Sequence, residues 1–190
     1  MEIKILKNIL HENEASAVSN AEFFKAHGIR SVNLMSSPGA GKTELVSKTL
    51  GALRGEFGIA VIEGDIRTTM DAERLAAHDV PVVQINTEPF GGECHLEAAA
   101  IRSAAEQFDL DKTDLVFVEN VGNLVCPAEF NLGVDRNVVL LSITEGEDKP
   151  AKYPLMFRVC DLCLLTKIDL LDALGYDMEK FEENLRNVNP

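Results

Sequence analysis

The stretch SVNLMSSPGAGKT, residues 31–43, decides the fold. Its first five residues are a short apolar run that reads as a strand. A glycine-bearing turn follows, then a helix-prone run over about residues 43–54. The phosphate-binding pattern G-x-x-x-x-G-K-[ST] belongs in that strand-to-helix setting, and Gly41, Lys42 and Thr43 match it. Ser36 stands where the first glycine is expected, while Pro38 and Gly39 still give a loop that turns sharply. The residue types fit the chemistry. The backbone N–H groups of Gly39, Ala40, Gly41, Lys42 and Thr43 face phosphate oxygens at the positive end of a helix. Lys42 reaches the β- and γ-phosphates, and the Thr43 hydroxyl binds Mg²⁺. Pro38 and Glu44 flank this nucleotide-binding segment. A glycine-rich turn with a solvated lysine is the plainer alternative, and the strand and helix on either side count against it.

Outward from the loop, apolar runs recur: GIAVIEG, VPVVQIN, DLVFVEN, NVVLLSI and DLCLLTK. Helical patterns over about residues 69–78, 92–107 and 177–187 lie between or after them. Upstream, ENEASAVSNAEFFKAHG reads as an amphipathic helix, with Ala17, Ala21 and Phe24 on one side and Gly28 as its stop. Near-continuous apolar strands alternating with helices predict an α/β P-loop NTPase: a mostly parallel sheet with helices on both faces. The expected organisation is an N-terminal helical segment over residues 1–30 and a nucleotide-binding domain over 31–190. Ligands in such sheets gather at the carboxyl ends of the strands.

The totals set the class. A chain of 190 residues with 46% hydrophobic content builds one domain with a real core. A net charge of −13 is poorly suited to sequence-independent nucleic-acid binding. No apolar run approaches the ~20 residues that cross a bilayer, and MEIKILKNILHENEAS lacks the layout of a signal peptide. The four cysteines, Cys94, Cys126, Cys160 and Cys163, are too few for a disulfide scaffold, so reduced thiols in the cytoplasm are expected.

Further site candidates stand at strand ends. EGDIRTTMD offers Glu63 and Asp65, either able to hold Mg²⁺ directly or through water in a switch loop. VFVENVG offers Glu119 and, three residues on, Gly122, resembling the acid-x-x-Gly element that senses a γ-phosphate. LLTKIDL resembles the guanine-specificity element, with Thr166 in place of asparagine. Asp169 would accept hydrogen bonds from guanine N1 and its exocyclic amine, and the Lys167 stem would pack over the base. Singly, each carboxylate also reads as a helix cap; in order after a phosphate loop, the set points to a nucleotide.

Cys160 and Cys163 form C-x-x-C, but they enter a buried strand and have no second pair, so they read as small core residues. Cys94-His95 and Cys126 lie in loops. Thiolate and imidazole suit Zn²⁺ and Ni²⁺, and spacing alone leaves ligand and structural readings both open.

The ordered set MSSPGAGKT, EGDIRTTMDAERL, GGECHLEA, FVENVGNLVCPAEFNLG, TEGEDKPAKYP and LLTKIDL closely resembles the HypB family, hydrogenase maturation GTPases involved in nickel insertion. The likeness runs over about residues 31–171, and CHLEA and ENVGNLVCP are its most specific pieces. It implies a GTPase of the SIMIBI class that binds GTP/GDP with Mg²⁺ on Thr43, Asp65 and Glu119. It implies Lys42, Asp65 and Glu119 as the catalytic set. It further implies a GTP-favoured homodimer with Zn²⁺ or Ni²⁺ on Cys94, His95 and Cys126 at the interface. The implied partners are a small zinc- and nickel-binding maturation protein and the large subunit of [NiFe]-hydrogenase. Two departures stand out. The sequence contains neither the N-terminal cysteine motif nor the histidine-rich stretch of many bacterial members. It also stops at NVNP, where members continue into another strand, a loop near the guanine and a last helix. Cys126 follows Glu119 by seven residues, so nucleotide state is expected to move a metal ligand directly. Competing readings are a GTPase metallochaperone for another nickel enzyme such as urease, an ATP-dependent small-molecule kinase, and a nucleotide-gated dimer in which hydrolysis is incidental. The Cys-Pro-His site of the urease protein is missing, as are a lid and basic cluster for a kinase.

Overall fold

The apolar runs pair into one six-stranded sheet in the computed structural model, which describes residues 5–88 and 94–190, with side chains from Leu10 onward. The strands are β1 (Arg30–Ser36), β2 (Ile59–Asp65), β3 (Val82–Asn86), β4 (Leu115–Glu119), β5 (Arg136–Ser142) and β6 (Leu162–Thr166). They run in the order β3-β2-β4-β1-β5-β6, and every pairing is parallel. The helices are α1 (Ile5–Ala26), α2 (Lys42–Leu53), α3 (Met70–Ala76), α4 (Ala98–Ala105), α5 (Lys149–Lys152), α6 (Pro154–Arg158), α7 (Leu171–Leu174) and α8 (Met178–Val188).

Successive strand residues point to opposite faces, which is why the strands read as continuous apolar runs. Ala60 and Ile62 join Phe24, Ile29, Leu96 and Ile101 under α1 and α4. Ile59 and Val61 join Val46, Leu50 and Leu75 under α2 and α3. A third cluster, with Met35, Leu141, Phe157 and Phe181, lies beneath α6 and α8.

Three expectations need correction. The buried face of α1 is Asn13, Ala17, Asn20 and Phe24, whereas Ala21 is exposed. Two polar residues sit on the inward stripe, so apolar periodicity alone chose the wrong neighbour of Ala17. The helix also starts earlier, at Ile5. Finally, α4 begins at Ala98, not near residue 92, which leaves Cys94 and His95 in loop; the run predicted over residues 92–107 includes 92 and 93, which lie outside the described residues. Short helices α5, α6 and α7 fill spans to which the sequence reading assigned no element. Among the described residues no helix is long and apolar enough to cross a membrane.

Candidate functional site

At the carboxyl end of β1 the chain turns into α2 through Gly39 and Gly41, at φ +74° and +101°. Only glycine adopts these conformations at low cost. The turn aims the first N–H groups of α2 into a cavity of about 420 Å³. Ser36, in place of the usual glycine, has a job here: buried, its hydroxyl accepts a 2.9 Å hydrogen bond from Lys42 Nζ. Burial lowers the Lys42 pKa, against the charges of Glu119 and Asp71. Thr43 Oγ1 donates to Glu119 Oε1 at 2.7 Å.

Gly122 closes the opposite wall. A Cβ there would come within 3.0 Å of Pro38 Cα, so glycine lets the loop after β4 lie directly against the phosphate loop. Of the residues predicted for the nucleotide, Pro38, Gly39, Gly41, Lys42, Thr43, Glu44, Asp65, Glu119 and Gly122 line this cavity. Ala40 turns its side chain into the core, and its carbonyl accepts from Thr166 Oγ1 at 2.7 Å. Thr166 thereby ties the segment carrying Lys167 and Asp169 to the phosphate loop. Those two residues lie outside the cavity, exposed beyond the end of β6.

Five carboxylates (Glu44, Glu63, Asp65, Asp71 and Glu119) line the cavity against two cations, Lys42 and Arg74. Asp65 is occupied with its own loop. Burial pushes its pKa up, but the Thr68 hydroxyl and the backbone N–H groups of Ile66, Arg67 and Thr68 outweigh that and hold it low. Glu63, by contrast, is opposite Glu119 in strand register, and each is almost fully buried with one carboxylate oxygen that has no hydrogen-bond partner. Paired buried carboxylates with orphaned oxygens fit a divalent cation. Burial raises the Glu119 pKa, while Thr43 and Lys42 pull against it. Burial, then the charges of Glu119, Asp65 and Asp71, push Glu63 up to about 8, with Lys42 opposing.

That shift has a pH consequence. Glu63 stays protonated in the folded chain while the unfolded chain ionises at the ordinary carboxylate value, so the stability tied to its proton is lost as pH rises toward about 8. In metal-free protein, Glu63→Gln should flatten the decline in urea midpoint between about pH 5 and 8. Parallel declines in parent and variant would contradict this account of Glu63.

Sequence reasoning missed several features. Arg74 reaches the cavity wall and pairs with Glu44 at 3.2 Å. Glu145 accepts a hydrogen bond from Ser37 and closes a capping box with Ser142; the Ser-x-x-Glu spacing of residues 142–145 was its available signal.

The second cluster stands apart from this cavity. Ligand atoms of Cys94, His95 and Cys126 lie within 4.8 Å of one another, with the two sulfurs 2.6 Å apart. Neighbouring Cys94 and burial push the Cys126 pKa up. Among the described residues both His95 ring nitrogens are buried without a hydrogen-bond partner, and the ring stacks on Phe130 at 3.7 Å. Two thiols and an orphaned imidazole fit a soft or borderline cation such as Ni²⁺ or Zn²⁺. Cys160 and Cys163 belong to the apolar cluster under α6 and α8, and burial pushes both thiols up to about 12.

A phosphate loop on a central parallel strand with carboxylates on neighbouring strands defines a P-loop nucleotide-binding fold, and the separate thiol–imidazole cluster is a candidate metal site. The CobW/HypB/UreG nucleotide-binding domain profile matches residues 31–190. The hydrogenase maturation factor HypB of Escherichia coli K12 is 47% identical over 190 residues, all of this chain, which spans 64% of that relative's length. A crystal structure of Helicobacter pylori HypB in complex with nickel, 38% identical, superposes with a TM-score of 0.87 over 94% of this chain and 83% of that one. The signal recognition particle 54 kDa protein of Aeropyrum pernix, 15% identical with a TM-score of 0.58 over 84% of this chain and 39% of that one, shares the fold alone. The chain belongs to the HypB family.

Proposed function

We propose that this chain is a GTP-hydrolysing metallochaperone that assists nickel insertion into [NiFe]-hydrogenase in the cytoplasm. Residues 31–190 form its GTPase unit, preceded by α1. It works as a homodimer favoured by GTP, with Cys94, His95 and Cys126 holding nickel or zinc as cargo at the interface. It acts beside a small zinc- and nickel-binding partner and the hydrogenase large subunit.

The supporting observation is one continuous loop. It begins at Glu119, which accepts from Thr43, passes Gly122 against Pro38, and reaches Cys126, which touches Cys94. Lys42 and the N–H groups of residues 39–43 hold the β- and γ-phosphates. Thr43 and Glu119 would hold Mg²⁺, with Asp65 or Glu63 as the further carboxylate, and a bound ion would supply neutralisation of charge that develops on the phosphates. A γ-phosphate beside Gly122 fixes the loop, and its loss frees Cys126 to move relative to Cys94. The nucleotide thus biases a metal ligand through a single segment.

Asp169 supplies the choice of base. Asp169→Ala should weaken GTP binding by at least about tenfold, given ~1.5–3 kcal/mol for hydrogen bonds to a charged group. Calorimetry with GTP and ATP side by side tests it, and equal affinity for the two in the unaltered chain refutes the guanine assignment.

A further inference from the structure

The metal cluster is drawn from two segments far apart in sequence, and what sets their spacing is on α1. Asn13 Oδ1 accepts a 2.8 Å hydrogen bond from Ala98 N–H, an otherwise orphaned donor in the first turn of α4. The Asn13 amide donates to Asn131 O at 2.8 Å. One face further along, the Asn20 amide donates to Ala98 O at 2.8 Å and to Leu132 O at 2.9 Å. Ala98 lies three residues beyond His95, and Asn131 follows Phe130, the ring on which His95 stacks. Both asparagines therefore grip the two halves of the site at once.

Between them the helix touches the second segment directly. A Cβ on Gly133 would stand 2.0 Å from Ala17 O, so α1 and this segment are in backbone contact. Arg102 Nε donates to Asn20 Oδ1 at 3.2 Å, which fixes the amide's orientation. Ordinary helix packing needs none of this. Asn13 and Asn20 are 7% and 1% exposed, and buried amides on a packing face carry a desolvation cost that these bonds offset. Glu97, the cap residue of α4, makes no side-chain cap of its own, so the cap comes from α1. Among the described residues His95 has no hydrogen bond on either nitrogen and its ring stacks on Phe130, so the placing of the segments that carry the two rings orients it.

We infer that Asn13 and Asn20 are positioning residues for the Cys94–His95–Cys126 site. They clasp the start of α4 to the segment after Phe130, hold His95 over its stacking partner, and so set the distance between imidazole and thiols. Metal affinity then depends on residues of α1 that touch no ligand. This rests on the metal-site reading above and adds the scaffold that makes it a site.

The test uses the whole chain with Zn²⁺, read by competition with a chromophoric chelator, and with Co²⁺, whose thiolate bands report ligand geometry. Asn13→Ala and Asn20→Ala should each weaken Zn²⁺ binding by about tenfold, the low end of the loss when a partner that orients a ligand directly is removed, and should shift the Co²⁺ bands. GTP affinity should stay within about twofold, because neither asparagine lines the phosphate cavity. Phe24→Leu, a core change on the same helix face that leaves the clasp intact, should lower thermal stability yet keep Zn²⁺ affinity. If Asn20→Ala fails to fold, Asn13→Ala decides. Parent-like Zn²⁺ affinity and Co²⁺ spectra in the folded asparagine variants, or equal losses in Phe24→Leu, overturn the clasp. A parent chain whose metal binding is indifferent to Cys94→Ala overturns the underlying site instead.

Discussion

Replacing Lys42 with alanine should lower single-turnover GTP hydrolysis by at least about a hundred- to a thousandfold, the loss seen when one preorganised charge-stabilising donor is removed. Lys42 is almost fully buried at the head of α2, and its Nζ is held by Ser36 Oγ at 2.9 Å. That grip sets its ammonium beside the N–H groups of the loop, where transferring phosphoryl charge is stabilised. Its carboxylate neighbours make the loss worse. Glu63 and Glu119 keep orphaned oxygens, and Lys42 is the charge that partly offsets both. Lys42→Ala therefore leaves the phosphates facing an acidic cavity. Unaltered single-turnover rates in a folded variant would remove the phosphate loop from the account.

The other large effect concerns the metal. Cys94→Ala and Cys126→Ala each remove one of the three ligand groups that converge within 4.8 Å among the described residues. Losing a direct ligand should exceed the ten- to hundredfold cost of losing a partner that only orients one, so Zn²⁺ or Ni²⁺ affinity should fall more than about a hundredfold. Metal-promoted dimerisation should fall with it. Neither cysteine lines the phosphate cavity, so GTP affinity of the monomer should be nearly unchanged. In the parent, GTP and metal should each raise the other's apparent affinity by the same factor, and either cysteine variant should abolish that reciprocity. Sedimentation with GTP and Zn²⁺ that shows the double variant dimerising as the parent does, with equal bound metal, would return both cysteines to a structural role.

The two sites differ in how far the sequence exposed them. The phosphate loop was readable because its chemistry is local: strand, turn and helix follow within thirteen residues, and spacing fixes geometry. Glu119 and Gly122 were readable for the same reason. The departure at Ser36 had no local explanation, since its partner Lys42 becomes its neighbour only once the loop has curled. Thr166, in place of asparagine, likewise has no local explanation, since its hydroxyl donates to Ala40 O, 126 residues away in sequence.

The class of fold, the strand inventory, the phosphate-loop segment and the residue types of the thiol–imidazole cluster were legible from the chain alone. Each rests on periodicity or on short spacing, which backbone geometry converts directly into structure. The tertiary structure alone decided which face of α1 is buried, that Glu63 stands opposite Glu119, and that Phe130 carries His95. These depend on strand register and helix packing between segments that no spacing rule connects. The asparagines show why most clearly. A buried amide among apolar neighbours reads as a break in the stripe, and only the arrival of Ala98 and Leu132, 78 and 112 residues from Asn20, gives it the hydrogen bonds that make its burial favourable.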